Sequence, residues 1–112
     1  MLFRRPSPVR FFPLAAACTL LSMPLASSAG ASQEVVIDAM RFAPQTIEAR
    51  VGDEIVWNNR DFFPHTIVAD HGEFASEPIA PGGAWRLHAE HRGVFPYTCG
   101  LHPTMHGVLV VN

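Results

Sequence analysis

The segment that most constrains this chain lies near its C-terminal end, where Cys99, His102 and Met105 follow one another at three-residue intervals. These positions confine a thiol, an imidazole and a thioether to seven residues. Taken singly, a cysteine or a methionine is most often a buried apolar residue. Three such groups this close together, with a further histidine upstream at His65, instead predict a metal site shared by two loops.

The types of donor atom indicate which metal the site prefers. Soft sulfur ligands suit Cu(I), and imidazole suits copper in general. Two His, one Cys and one weakly bound Met are the ligands of a one-electron copper site. The predicted ligands of a single copper ion are therefore His65, Cys99, His102 and Met105. Zinc is a competing metal, since it also binds cysteine and histidine, although structural zinc sites usually contain further cysteines.

The N-terminal segment has the layout of a secretory signal peptide. Three arginines within the first ten residues precede an apolar stretch, and small residues follow it. We expect residues 1–31 to be a leader that is removed after Ala31, with a cut after Ala29 as the alternative. A twin-arginine route and lipidation of Cys18 are less favoured alternatives. Residues 32–112 then form one domain in the periplasm, with no segment apolar and long enough to span a membrane.

Removal of the leader leaves Cys99 as a lone cysteine, because Cys18 lies within the removed segment. A leftover cysteine in an exported domain indicates pairing between chains, a reactive thiol or a metal ligand. The remaining domain holds five arginines and no lysine against ten acidic residues, which gives a formal charge of −5. This charge argues against nucleic acid as a partner and is compatible with a cationic protein partner.

Short runs of high β-propensity, separated by turn signals, dominate the domain. The Val51-Gly52-Asp53 and Pro81-Gly82-Gly83 segments are typical turns. Strands are predicted at residues 34–40, 46–49, 54–58, 65–69, 84–88, 94–98 and 106–111. Such a series predicts an all-β sandwich or barrel. Pro96 cannot donate a ladder hydrogen bond, so we expect it to face a sheet edge or a bulge.

Together these features resemble the cupredoxins, a family of blue copper proteins, over essentially the whole of residues 32–112. The spacing Cys99-x2-His102-x2-Met105 is similar to the loop of amicyanins, and Phe63-Pro64-His65 is similar to the first histidine motif of plastocyanins. The resemblance implies a Greek-key β-sandwich with copper at one end. It also implies a periplasmic electron carrier that passes single electrons between redox proteins and is not an enzyme.

The resemblance implies two residues that support the ligands. Asn59 is expected to tie the two ligand loops together by hydrogen bonds, and the backbone N–H of Thr66 is expected to point at the Cys99 sulfur. Hydrogen bonds of this kind orient metal ligands and tune the metal. From the residues alone, Asn59 is equally well explained as a turn residue in Asn58-Asn59-Arg60-Asp61.

The resemblance further implies that His102 reaches the surface through an apolar docking patch. Its expected members are Phe63, Pro64, Leu101 and Pro103. Phe62 is a further candidate, and we expect one of the two phenylalanines to lie in the core. A small patch suits a transient partner, and the likeness to amicyanin points to an amine dehydrogenase and a c-type cytochrome as partners of a monomer.

Two other classes of function stay open at this point. A protein that delivers or stores copper would favour an exposed site rich in methionine and histidine. A copper enzyme would need an open coordination position or further copper ions. A catalytic thiol at Cys99 would lack a third residue to orient His102.

Overall fold

The computed structural model describes residues 2–24 and 30–112, so the alternative cleavage position at Ala29 lies outside the described residues. Eight strands follow one another along the chain: β1 Ser32–Asp38, β2 Arg41–Ala43, β3 Thr46–Ala49, β4 Glu54–Asn59, β5 Val68–Ala69, β6 Ala84–His88, β7 Gly93–Thr98 and β8 His106–Val111. Among the described residues there is no helix, and accordingly none that is long and apolar enough to cross a membrane.

The strands form two four-stranded sheets, with the orders β2-β1-β4-β6 and β3-β8-β7-β5. Each sheet contains one parallel pair, β1 with β4 in the first and β3 with β8 in the second. Parallel neighbours cannot be joined by a tight hairpin, so the chain crosses from one sheet to the other between them. The result is a Greek-key β-sandwich, which confirms the predicted all-β fold.

The core between the sheets is centred on two aromatic residues, Trp57 from β4 and Tyr97 from β7. Both side chains are fully buried, and their rings meet edge to face with centroids 5.6 Å apart. Phe42 contacts the Tyr97 ring in the same manner at 4.9 Å. Each edge-to-face pair stabilises a fold by about 0.5–1.5 kcal/mol beyond the contribution of the apolar area that the rings bury. The two sheets are thus joined through the strands β4 and β7, which lead toward the predicted ligands.

Strand β2 is the strand that the sequence does not predict. It pairs with β1 through a two-residue hairpin at Ala39 and Met40, both of which have positive φ angles of 49° and 59°. Such turns usually contain Asn or Gly, so the sequence carries no turn signal here. The turn is instead stabilised by a residue distant in sequence, since the Met40 N–H donates to the Asp61 carboxylate at 3.0 Å.

Two further expectations meet a different outcome. The strand predicted at 65–69 is shorter, since β5 contains only Val68–Ala69 and His65 makes a single isolated bridge with Ile79. Neither Phe62 nor Phe63 enters the core, because their side chains are 91% and 54% exposed. The buried aromatic residues of the sandwich are instead Phe42, Trp57 and Tyr97.

Pro96 lies where its missing N–H costs little. It pairs with Val108 of β8 on one side. On the other side its carbonyl accepts a hydrogen bond of 2.8 Å from the Asp70 N–H, immediately beyond the end of β5. The position therefore faces the end of a short edge strand, which confirms the expectation for a proline in a sheet.

Candidate metal centre

The four predicted ligands come from two connections at one end of the sandwich. His65 lies between β4 and β5, Cys99 directly follows β7, and His102 and Met105 lie in the loop between β7 and β8. This short loop is closed by two backbone hydrogen bonds, from the Cys99 N–H to the Met105 carbonyl at 3.1 Å and from the Met105 N–H to the His102 carbonyl at 3.0 Å. The loop therefore holds three of the predicted ligands in one compact turn.

Three ligand atoms converge on one point. The Cys99 Sγ atom lies 3.8 Å from Nδ1 of His65 and 3.8 Å from Nδ1 of His102, and the two Nδ1 atoms are 3.2 Å apart. A point equidistant from three atoms at these separations is roughly 2.1 Å from each, which matches metal–nitrogen and metal–sulfur bonds of about 2.0–2.3 Å. The residues present thus fit a metal ion without rearrangement, and Cys99 and His65 are fully buried.

Met105 belongs to the same end of the molecule. Its side chain is buried, with 2% exposure, and its backbone is bonded to both Cys99 and His102. The thioether is a weak donor, and trigonal His2Cys copper sites typically carry such a ligand at a longer distance on their axis. The position of Met105 is compatible with that role.

Thr66 joins the two ligand-bearing connections. Its backbone N–H donates to the Cys99 Sγ atom at 3.4 Å, and its side-chain Oγ1 accepts a hydrogen bond of 2.7 Å from the Gly100 N–H. A Cβ atom at Gly100 would lie 3.0 Å from that same Oγ1, so this close contact favours glycine. The N–H contact stabilises negative charge on the sulfur, as expected for a thiolate ligand.

Asn59 lies in a different relation from the expected one. Its Nδ2 group donates to the carbonyls of Phe63 and Ile79 at 2.8 and 2.9 Å, and its Oδ1 accepts the Asp61 N–H at 3.0 Å. Within the described residues these bonds shape the loop before His65 and fasten it to the segment at Ile79. They do not reach the Cys99 loop. The two loops are instead connected by Thr66, whose side chain accepts the Gly100 N–H, whereas Asn59 bonds to Phe63 in the loop of His65 itself.

Asp61 is a site residue that the sequence analysis does not single out. Its Oδ2 atom lies 3.0 Å from Nε2 of His65, the ring nitrogen opposite the converging Nδ1. The hydrogen bond from the Met40 N–H is the main reason that the pKa of Asp61 lies below its ordinary value, although the cost of burying its charge opposes this shift. The only sequence feature that links Asp61 to His65 is their separation of four residues. In an irregular loop this separation does not predict that two side chains are in contact.

The residues of the predicted docking patch are exposed, and one of them, Phe63, lies near His102. His102 itself is partly buried, and its ring lies 6.3 Å from that of Phe63, centroid to centroid. All four predicted members are exposed: Phe63, Pro64, Leu101 and Pro103. Leu101 is 49% exposed, and Phe62, which precedes Phe63 in the sequence, is 91% exposed. One ligand thus lies next to an apolar surface, while His65 and Cys99 are shielded from solvent.

Known proteins are similar to this chain in sequence and in fold. Amicyanin from Paracoccus denitrificans is 27% identical over 96 residues, which cover 80% of this chain and 73% of the relative. Chloroplastic plastocyanin from Pisum sativum is 30% identical over 120 residues, covering 90% and 71%. A solved structure of a purple cupredoxin from Nitrosopumilus maritimus superposes with a TM-score of 0.66 at 28% identity, and covers 71% of this chain and 99% of that protein.

The chain also matches a known domain family over nearly its whole length. The Cupredoxin-like domain family matches residues 11–111, which include all eight strands and both ligand-bearing connections. The resemblance first read from the loop spacing is thereby confirmed over nearly the whole chain. This protein belongs to the cupredoxin-like family.

Proposed function

We propose that this protein is a type 1 blue copper electron carrier in which His65, Cys99, His102 and Met105 hold a single copper ion. The observation that carries the proposal is the convergence of one buried sulfur and two imidazole nitrogens within 3.8 Å of one another. A thiolate and two neutral imidazoles are the equatorial donors of blue copper sites. A structural zinc site would more often use four strong ligands.

When bound, copper supplies one-electron chemistry by alternating between Cu(II) and Cu(I). The protein would keep the ligands in place in both oxidation states. His65 is hydrogen-bonded to the Asp61 carboxylate, and the Cys99 sulfur accepts the Thr66 N–H. Ligands fixed in this way need little rearrangement when the charge of the site changes, so electron transfer is fast.

The proposed route for electrons runs through His102, because this ligand is only partly buried, its ring lies 6.3 Å from that of the exposed Phe63, and its neighbours Leu101 and Pro103 are exposed. A small apolar surface around one ligand suits brief docking, because weak redox complexes bury little area. Partners are therefore one-electron redox proteins. An amine dehydrogenase as donor and a c-type cytochrome as acceptor are the partners that the similarity to amicyanin favours. We propose that the protein acts as a monomer and transforms no substrate itself.

The principal alternative is a protein that delivers or stores copper. Exchange of the ion would require ligands that solvent or a second protein can reach. Here Cys99 and His65 are fully buried and Met105 is 2% exposed, so dissociation would require the loops to open. This burial favours a retained ion and a carrier of electrons.

We also propose that residues 1–31 are an export leader and that residues 32–112 form the periplasmic domain, with a cut after Ala29 as the alternative. The Ala31 N–H donates to the Asp53 carboxylate at 2.9 Å, and the Ala31 carbonyl accepts the Glu54 N–H at 2.9 Å. A cut after Ala29 preserves both bonds, whereas a cut after Ala31 removes both. The intact mass of the exported protein distinguishes a chain that begins at Gly30 from one that begins at Ser32.

The electron-carrier proposal is tested by loading the purified protein with Cu(II) and recording its visible and EPR spectra. An intense blue band with unusually small copper hyperfine splitting is expected, and it should disappear in Cys99→Ser while circular dichroism shows the same fold. Cyclic reduction and reoxidation without loss of metal then separates a carrier from a delivery protein. A pale, ordinary copper spectrum in the unaltered protein would refute the assignment of Cys99.

A further inference from the structure

We propose that Met40 and His106 form a transient binding site for Cu(I), the entry site, from which the ion passes to the four predicted ligands. This inference deepens the proposed function, since it names the residues through which the carrier would acquire its copper. The entry site binds the ion during loading and is not part of the four-ligand site that holds it afterwards.

A cavity of about 710 Å³ lies between the β1–β2 hairpin and the loop that joins β7 to β8. Residues 38–45 line one side of it, and Thr104, Met105 and His106 line the other. Met40 is partly buried and His106 is exposed. The cavity therefore brings a thioether and an imidazole, both accessible to solvent, together with one of the predicted ligands.

Met40 occupies a backbone position that does not favour methionine. Its φ angle is 59°, which is uncommon outside Gly, Asn and Asp. A residue held in such a conformation indicates a role for its side chain. Packing against the hydrophobic core accounts for part of this role, but leucine, which has nearly the same volume, would pack as well. The sulfur atom is what distinguishes Met40 from leucine, and it is a donor that Cu(I) prefers.

His106 has a ring nitrogen that can bind a metal ion. The Thr98 hydroxyl donates its only proton to Oδ1 of Asp70 at 2.7 Å. The same hydroxyl oxygen lies 3.1 Å from Nδ1 of His106, so Nδ1 must be the donor in this second contact. In a neutral imidazole the other nitrogen is then unprotonated. The lone pair of His106 is therefore on Nε2, the nitrogen that does not contact Thr98.

The cavity meets the predicted ligands at Met105. This residue lines the cavity and directly precedes His106 in the sequence. Cys99 and His65 do not line the cavity and are fully buried. An axial thioether binds copper weakly and at a long distance, so Met105 is the ligand that an arriving ion can displace most easily. The cavity thus offers an approach on which Met105 is the first of the four ligands.

Loading from the entry site moves an ion and no electron. The copper remains Cu(I) while it exchanges the donors of Met40 and His106 for those of the four-ligand site, and the Cys99 thiol releases its proton to water as it binds. Thioether sulfur suits Cu(I), whereas Cu(II) favours nitrogen and oxygen donors. The Met40 sulfur should therefore speed the loading of Cu(I) and have little effect on the loading of Cu(II).

The first measurement is the rate of copper loading into the metal-free protein by stopped flow. Cu(I) is supplied without oxygen as its acetonitrile complex and is followed by the ultraviolet absorption of the thiolate–Cu(I) bond. Cu(II) is supplied separately as its sulfate and is followed by the blue band. Met40→Leu should load Cu(I) about tenfold more slowly, which corresponds to about 1.4 kcal/mol in the barrier. Its Cu(II) loading rate and its final blue spectrum should equal those of the unaltered protein.

His106→Ala should also slow the loading of Cu(I). His91→Ala is the matched control, because His91 is likewise an exposed imidazole but does not line this cavity. It should load Cu(I) at the rate of the unaltered protein. Equal slowing by the two alanine variants would mean that surface imidazoles collect the ion in general, and it would overturn the role of His106.

The second measurement does not depend on any change at Met40. Cu(I), which is diamagnetic, is titrated without oxygen into Cys99→Ser, and the methionine methyl groups are followed by 13C–1H NMR. This variant lacks the strongest donor of the four-ligand site, so the ion should stay at the entry site long enough to shift the Met40 methyl resonance. A shift of the Met105 methyl resonance alone would overturn the inference.

The rates also separate this inference from the proposed function. Equal Cu(I) loading in Met40→Leu and the unaltered protein would overturn the entry site while the blue spectrum stands. Equal slowing of Cu(I) and Cu(II) in Met40→Leu would overturn it as well, because the cause would then be an altered hairpin and not the lost sulfur. If Cu(I) loading depends on Met40 but oxidation gives no blue spectrum, the proposed function fails and the entry site stands.

Discussion

The backbone N–H of Thr66 points at the Cys99 sulfur, with the nitrogen 3.4 Å from Sγ. This contact joins two segments that are 33 residues apart in sequence. The side chain of the same threonine accepts the Gly100 N–H at 2.7 Å. Thr66 therefore fixes both the Cys99 sulfur and Gly100, the residue that follows it. Because Thr66 directly follows His65, these contacts connect the His65 loop to the Cys99 loop.

Thr66→Val removes the acceptor of the Gly100 N–H while preserving the size and branching of the side chain. We expect the free energy of unfolding of the metal-free protein to fall by about 1 kcal/mol, the net value of one hydrogen bond. The energy or intensity of the blue band should also change, since Cys99 is less firmly held. Urea unfolding and visible spectra measure the two effects. Thr66→Ser retains the hydroxyl and serves as the control, and identical behaviour of the Val and Ser variants would contradict the role of this bond.

Met105→Gln should preserve copper and the blue band but lower the reduction potential. An amide oxygen is a harder donor than a thioether and favours Cu(II), and the axial ligand is known to tune the potential of such sites. Met105→Leu, which offers no donor, should raise the potential. Voltammetry should therefore show shifts of the reduction potential in opposite directions for the two substitutions at this position. If neither variant moves the potential, Met105 is not the axial ligand.

Leu101→Glu should slow electron self-exchange about tenfold or more and leave the visible spectrum unchanged. Two copies that meet through the patch would bring like charges together, which costs several kcal/mol in a closely packed contact. Line broadening in NMR spectra of partly oxidised protein measures the exchange rate. Val94→Glu is the control, because Val94 is 65% exposed near the start of β7, away from Cys99. Equal slowing by both variants would mean that charge, and not the patch, sets the rate.

Acid should destabilise the metal-free protein through Asp53. The hydrogen bond from the Arg50 N–H lowers the pKa of this carboxyl in the folded state, an effect that the cost of burying its charge opposes. A depressed folded pKa means that the stabilisation is complete above the ordinary aspartate range near pH 4 and is lost as the pH falls through the folded value. Urea midpoints between pH 6 and pH 3 should therefore fall less steeply for Asp53→Asn than for the unaltered protein. Glu48→Gln, on the exposed side of β3, is the control.

High pH should destabilise the folded protein through Tyr97, the only tyrosine in the sequence. Burial raises the pKa of its hydroxyl to about 12, against about 10 in an unfolded chain. A raised folded pKa means that the contribution is present below pH 10 and is lost as the pH rises from 10 toward 12. Tyr97→Phe should flatten this decline. It should not reduce stability at pH 7, because the buried hydroxyl has no hydrogen-bond partner within the described residues. A large loss at pH 7 would contradict that description.

Much of the site follows from local sequence. The intervals between Cys99, His102 and Met105 already require a single tight loop, and their donor types already favour copper. Most strands were also predicted, because turn residues mark their ends. Strand β2 was not, since its hairpin at Ala39 and Met40 lacks turn residues and depends on a hydrogen bond from Met40 to Asp61.

The sequence by itself determined the donor set, the family and the all-β character of this protein, because these depend on residue types at short spacing. Tertiary structure decided which groups support the donors. Asn59 was expected to join the ligand loops and instead shapes the loop of His65, while Thr66 makes the junction. Asp61 acquires its relation to His65 only when the loop folds and Met40 reaches the same carboxylate from the hairpin. Hydrogen bonds between distant segments depend on how the sheets pack, and spacing along the chain does not encode that packing.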